Sequence, residues 1–150
     1  AGEEVLMVSI SDNLSVTGSH GIEIKADVFF EDVDYSTVDL LVLPGGMPGT
    51  KHLGAHQGLA DLLKEFAASD RKVAAICAAP SVLGGLGILR EKKEACYPGF
   101  EEKLEGALVF TDPVVKDGNI TTSRGLGTAI PFALELISQL EGEVKARQNK

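Results

Sequence analysis

Cysteine, positive charge and long apolar runs are all scarce in this sequence, and each scarcity removes a class of protein. Two cysteines, Cys77 and Cys96, in 150 residues cannot supply the dense cross-linking of a small secreted scaffold, so free thiols in a reducing compartment are expected. Lys and Arg number 14 against 22 Asp and Glu, and the net charge of -8 repels phosphate backbones and anionic lipid. Neither a nucleic acid nor a membrane is an expected partner. No stretch approaches the roughly 20 apolar residues of a membrane span, and the opening AGEEVLMVSI has no basic region or cleavage signature. The expectation is a soluble, cytoplasmic protein acting on small neutral or polar ligands. Only His20, His52 and His56 represent histidine, and no Cys or His pair has zinc-ligand spacing, so neither a metal nor a cofactor is expected.

What is present is 44% hydrophobic residues, ample for one buried core, and the expectation is a single domain over 1–150. Glu3–Ile10 reads as a buried strand, and the stretch from Val16 to Phe30 as two brief strands with a tight turn. Asp39–Leu43 is a continuous apolar run of the kind found in parallel strands covered on both faces, stopped by Pro44, Gly45 and Gly46. Leu59, Leu62, Leu63, Phe66 and Ala67 follow the spacing of an amphipathic helix. Val73–Ile76 returns to strand, and Pro80 opens a helix in which Gly84 and Gly85 permit close backbone approach, with Gly87 at its end. Val114–Lys116 and Ile120–Thr122 flank Asp117-Gly118-Asn119, a hairpin turn. Thr128 is placed to cap a last helix carrying Ile130, Leu134, Ile137 and Leu140 on one face, with Gly142 in the left-handed position beyond it. Alternating strands and helices predict an α/β flavodoxin-like three-layer sandwich, its sheet mostly parallel with one antiparallel hairpin.

The sharpest chemical feature is KVAAICAAP at Lys72–Pro80: an apolar strand, a cysteine, small residues, then a proline suited to a first helical turn. A tight turn there projects the Cys77 side chain at the top of the sheet, beside free amides that favour an anion, so the thiolate is the expected form. A cysteine judged by composition alone fills a small apolar site; the turn reverses that reading for Cys77. Cys96 has no helix start after it and is expected to be inert and buried. The second feature is LPGGMPG at Leu43–Gly49, where the amide of Gly46, with that of Ala78, forms an oxyanion hole for a carbonyl attacked by Cys77. His52 and His56 fall on a loop or at a helix start, where a surface role is favoured.

DLLVLPGG at Asp39–Gly46, AAICAAP at Ala74–Pro80 and TTSRGLGT at Thr121–Thr128, in that order and spacing, resemble the ThiJ/PfpI superfamily in its parkinsonism-associated protein deglycase branch. The resemblance implies that Cys77 is the nucleophile and redox-sensitive thiol, that Gly46 and Ala78 hold the oxyanion, and that Gly45, Tyr97 and Arg124 line the pocket. It implies a cofactor-free, cysteine-dependent, stress-protective enzyme of glyoxalase or deglycase type, acting on small 2-oxoaldehydes or their protein adducts, and a homodimer. Family members carry a further strand and helix ahead of the segment matching Ala1, with a glutamate bonded to the cysteine. That segment is expected to be lost, disordered or bound as a separate chain. Ala78 replaces the histidine of peptidase-like members, and Tyr97, a poor general base, replaces a histidine found in other relatives. The alternatives are a redox-sensing or chaperone-like protein with an oxidisable Cys77 and no turnover, a cysteine peptidase or amidase, and a thiamine thiazole phosphate biosynthesis-related protein, for which no phosphate motif is visible.

Overall fold

In the computed structural model, which describes residues 1–149, the chain opens with four short strands: β1 (Val8–Ser9), β2 (Ser15–Thr17), β3 (Glu23–Lys25) and β4 (Val28–Phe29). β1 and β4 pair in parallel, while β2 and β3 form an antiparallel ribbon, so the Val16–Phe30 stretch holds three strands rather than two. The buried strand expected over Glu3–Ile10 shrinks to two paired residues. Val5, Leu6, Met7 and Val8 are exposed, because among the described residues β4 is the only strand paired with this segment and their apolar side chains meet solvent.

After these come β5 (Leu40–Leu43), helices α1 (Gly49–Ala55) and α2 (Gln57–Ala68), β6 (Lys72–Ile76), α3 (Pro80–Gly85), β7 (Lys93–Glu94), β8 (Leu108–Val109), β9 (Val114–Asp117), β10 (Ile120–Ser123), α4 (Ala129–Glu141) and α5 (Glu143–Gln148). The main sheet runs β5-β6-β10-β9, parallel except for β9, which the turn at Gly118 (φ 60°) folds back antiparallel as Asp-Gly predicts. Register explains the layers. Leu41 and Leu43 lie opposite Val73 and Ala75, and Ile120 lies opposite Val73, so these side chains share one face. There they join Leu59, Leu62, Leu63 and Phe66 of α2 and Val82 and Leu83 of α3 in a single apolar core. Each fully buried large side chain of α2 is worth about 1.5–3 kcal/mol of desolvation. Ala74 and Thr121 take the other face, where Gln139 of α4 donates to Thr121 Oγ1 at 2.8 Å. Val42 shares that face at the sheet edge and stays half-exposed.

Gly84 packs as expected: a Cβ there would lie 2.1 Å from the Lys103 carbonyl oxygen, whereas one on Gly85 would meet nothing within 4 Å. Other expectations need correction. His52 lies exposed on α1, and His56 stands at the start of α2 as expected, but half-buried rather than free at the surface: its Nδ1 accepts from the Leu59 amide at 2.9 Å and caps α2, its ring edge-on to Phe30. Thr128 precedes α4 without capping it, because its hydroxyl is engaged with Gly125 and Ser123. Ile130 is exposed, and Phe132 is the buried residue of that helix. Gly142 has φ 94° but an extended ψ of 162°, which ends α4 and starts α5, a largely exposed helix.

Candidate active site around Cys77

β6 ends at Ile76, and the chain turns at once, with Cys77 at φ 66°. A residue with a Cβ occupies this left-handed region at a cost of about 1–3 kcal/mol, which the surroundings must offset. They hold Cys77 at both ends of its backbone. Its N–H donates to the Ser123 carbonyl at 3.0 Å, and its carbonyl accepts from the Tyr97 N–H at 2.8 Å. Ser123 is the last residue of β10 and Tyr97 follows β7, so the nucleophile candidate is pinned by β10 and by the segment after β7. The short residues that follow permit the turn: Ala78 and Ala79 are buried, and Pro80 starts α3.

Gly45 closes the third side. A Cβ placed on it would stand 2.6 Å from the Cys77 Cβ, 3.0 Å from the Ile76 carbonyl oxygen and 3.3 Å from the Cys77 Sγ. Glycine is therefore required at position 45 for contact, not for its backbone angles. Gly46 is the reverse case: its φ of 93° favours glycine, while the space a Cβ would fill is open. The loop is tied to α1 through the Gly46 carbonyl, which accepts from the Thr50 N–H at 2.9 Å and from Thr50 Oγ1 at 2.8 Å. Among the described residues, neither the Gly46 N–H nor the Ala78 N–H donates to any group of the chain.

Tyr97 is half-exposed and packs on Gly125, where a Cβ would lie 3.3 Å from its ring. Its contact with Cys77 is made by its backbone. Arg124 is half-buried in the loop after β10 and makes no ion pair among the described residues. Its charge lies close enough to Cys96 to favour that thiol's ionisation, but burial dominates and pushes the Cys96 thiol up to about 11. Cys96 is thus the buried, protonated residue that its context predicts. Two surface grooves, one lined by Ile10, Ser11, Asp12, Phe29 and Glu31 and the other lying between β9, α4 and α5, do not include Cys77. The case for Cys77 rests on chemistry and geometry rather than on concavity.

One residue that sequence reasoning passed over is Glu94. Its side chain is fully buried, its Oε2 accepts from Thr122 Oγ1 at 2.6 Å, and its Oε1 has no partner. Burial drives its pKa up to about 8, against the pull of the Thr122 bond. Its single signal was a carboxylate in the polar–apolar alternation beside Cys96.

The chain is 42% identical over 148 residues to protein DJ-1 homolog A of Arabidopsis thaliana, an alignment covering 97% of this chain and 38% of that protein. It thus spans little more than a third of that relative's length. It is 37% identical to the glutathione-independent glyoxalase DJR-1.2 of Caenorhabditis elegans (83% of this chain, 67% of that protein) and 32% identical to the deglycase PYRAB04690 of Pyrococcus abyssi (93% and 84%). The oxidized DJ-1 of Toxoplasma gondii superposes with a TM-score of 0.91 at 35% identity, over 97% of this chain and 79% of that one. Residues 1–139 match the DJ-1/PfpI family, and with a flavodoxin-like sheet carrying a cysteine at a left-handed turn, the chain belongs to that family.

Proposed function

We propose that this chain carries a cofactor-free, stress-protective activity on small 2-oxoaldehydes or their protein adducts, of glyoxalase or deglycase type, with the Cys77 thiolate as nucleophile. One observation carries the reading: the bare Cα of Gly45 lets the Cys77 sulfur sit against a loop whose Gly46 amide, like that of Ala78, has no acceptor in the chain. The names of the glyoxalase and deglycase relatives support it.

In this mechanism the thiolate adds to the aldehyde carbon of methylglyoxal and forms a C–S bond, while the carbonyl electron pair moves to oxygen and is held by the two amides. A proton then shifts from the former aldehyde carbon to the neighbouring carbon through an enediol. The first carbon is oxidised and the second reduced, so no external electron carrier is needed. Water cleaves the thioester to lactate and returns the thiol. The proton is moved by the glutamate that the family resemblance assigns to a strand and helix preceding this segment. Tyr97 and Arg124 border the substrate. A cytoplasmic homodimer belongs to the same reading, supported by the exposed apolar side chains of Val5, Leu6, Met7 and Val42.

Incubating the full-length protein and its Cys77→Ala variant with methylglyoxal while following lactate tests the assignment. Lactate formation is lost in the variant; equal rates refute the role of Cys77. A second reading, a redox sensor without turnover, is favoured by Cys96: burial keeps that thiol protonated, so an oxidised Cys77 lacks a ready disulfide partner and proceeds to sulfinic acid.

A further inference from the structure

Glu94 lies at the end of a short relay into the Cys77 turn. Its Oε2 accepts the only proton of the Thr122 hydroxyl, and the same hydroxyl oxygen accepts from the Ala95 N–H at 2.8 Å. Two residues further on, the Tyr97 N–H holds the Cys77 carbonyl. We propose that Glu94, in its neutral form, is a positioning residue that fixes the Ala95–Tyr97 segment through Thr122 and thereby seats Cys77.

The surroundings show why charge matters. Glu94 Oε1 is buried without a partner. A neutral acid leaves one hydroxyl unsatisfied there, a modest cost, whereas a carboxylate leaves a bare charge, a far larger one. β8, which pairs with β7, and β10, which supplies Thr122, carry no charged residue that could compensate. On β9, Asp117 repels a carboxylate, and its own oxygen is engaged by the Lys93 N–H at 2.8 Å. Lys116 pairs with Thr121 and so takes the opposite face of the sheet from Thr122. Lys92, just before β7, is the one cation among the described residues that attracts the group, and Lys93 is exposed. An ionised Glu94 gains its missing donors only by opening β7 toward water and Lys92, which draws the Ala95 N–H off Thr122 and loosens Tyr97 from Cys77. With its pKa near 8, the change falls just above neutrality.

The test is amide hydrogen exchange at pH 7 and pH 9, corrected for intrinsic rate, in the wild type and in Glu94→Gln, which stays neutral. Ionisation of Glu94 lowers global stability about tenfold across this range, so the Val73 amide, bonded to Asn119 in the sheet, loses no more than about tenfold of its protection and stays protected. The wild-type Tyr97 amide, opened locally, has almost no protection left at pH 9. In Glu94→Gln both keep their pH 7 protection. A Tyr97 amide that is still as protected as Val73 at pH 9 reduces Glu94 to a general stability role and overturns the proposal, as does a variant that repeats the wild-type fall at Tyr97. Should the variant not fold, the comparison of the two wild-type amides decides alone. The consequence for catalysis rests on the glyoxalase reading: wild-type turnover of methylglyoxal falls at least threefold relative to Glu94→Gln between the same pH values. If the amides respond as stated and neither protein forms lactate, the glyoxalase reading fails and the positioning role stands.

Discussion

Replacing Gly45 with alanine places a methyl group where Cys77 already is. The new carbon would lie 2.6 Å from the Cys77 Cβ and 3.3 Å from its Sγ, against an ordinary carbon–carbon contact of about 3.5–4.0 Å, so about 1 Å must be found. Ile76, whose carbonyl oxygen would be 3.0 Å away, cannot supply it, because β6 is held between β5 and β10. The displacement therefore falls on Cys77, which already occupies a narrow left-handed well. Overpacking of this kind costs about 1–3 kcal/mol, and a chain of this size loses about 2–4 °C of melting temperature per kcal/mol. The larger effect is on chemistry: moving a reacting atom by about 1 Å costs about a hundredfold in rate. Gly45→Ala is therefore expected to form lactate about a hundredfold more slowly while still melting cooperatively. Thermal denaturation, lactate formation and the rate of Cys77 alkylation are the measurements. A variant whose turnover and alkylation stay within threefold of wild type, with an unchanged melting temperature, would refute the contact argument.

Two further outcomes are expected away from the nucleophile. Gly84→Ala brings a Cβ to 2.1 Å from the Lys103 carbonyl oxygen and lowers the melting temperature, while Gly85→Ala, in open space on the same helix, leaves it unchanged or raises it by removing about 1 kcal/mol of glycine penalty; equal shifts would contradict the packing of α3. Glu94 ties stability to pH: between its ordinary value of 4.5 and about 8 the native state holds a proton that the unfolded chain has released, so stability falls as pH rises through this window and is flat on either side. At about 1.4 kcal/mol per pH unit the loss reaches about 5 kcal/mol at most, and urea denaturation of Glu94→Gln lacks this slope.

The parts of the fold legible in the sequence are those where a local pattern and the tertiary environment ask for the same thing. Leu59, Leu62, Leu63 and Phe66 are spaced for one helical face, and the sheet offers that face a partner. Gly118 follows Asp117 in a turn that needs a positive φ, and the hairpin forms there. What was misread depends on neighbours distant in sequence. Glu3–Ile10 has the composition of a buried strand, yet among the described residues it pairs with β4 alone, and a short window cannot report how many strands flank it. His56 looks like a surface residue until the Leu59 amide presents an orphan donor to it.

Within the site, the same distinction separates Gly45 from Gly46. Adjacent glycines read alike as a loop, but Gly46 answers to its own φ, which the turn sets locally, while Gly45 answers to a cysteine 32 residues later. Glu94 is the extreme case. A glutamate between Lys93 and Ala95 looks like the solvated side of a strand, and only its burial against Thr122 turns it into a neutral acid. Cys77 could be picked out because its own segment encodes the turn; the residues that make the turn hold still are spread over β7, β10 and the loop after β5. Substitutions at these supporting positions should alter the reactivity of Cys77 without touching substrate, and a scan of sequence around the cysteine alone would miss all of them.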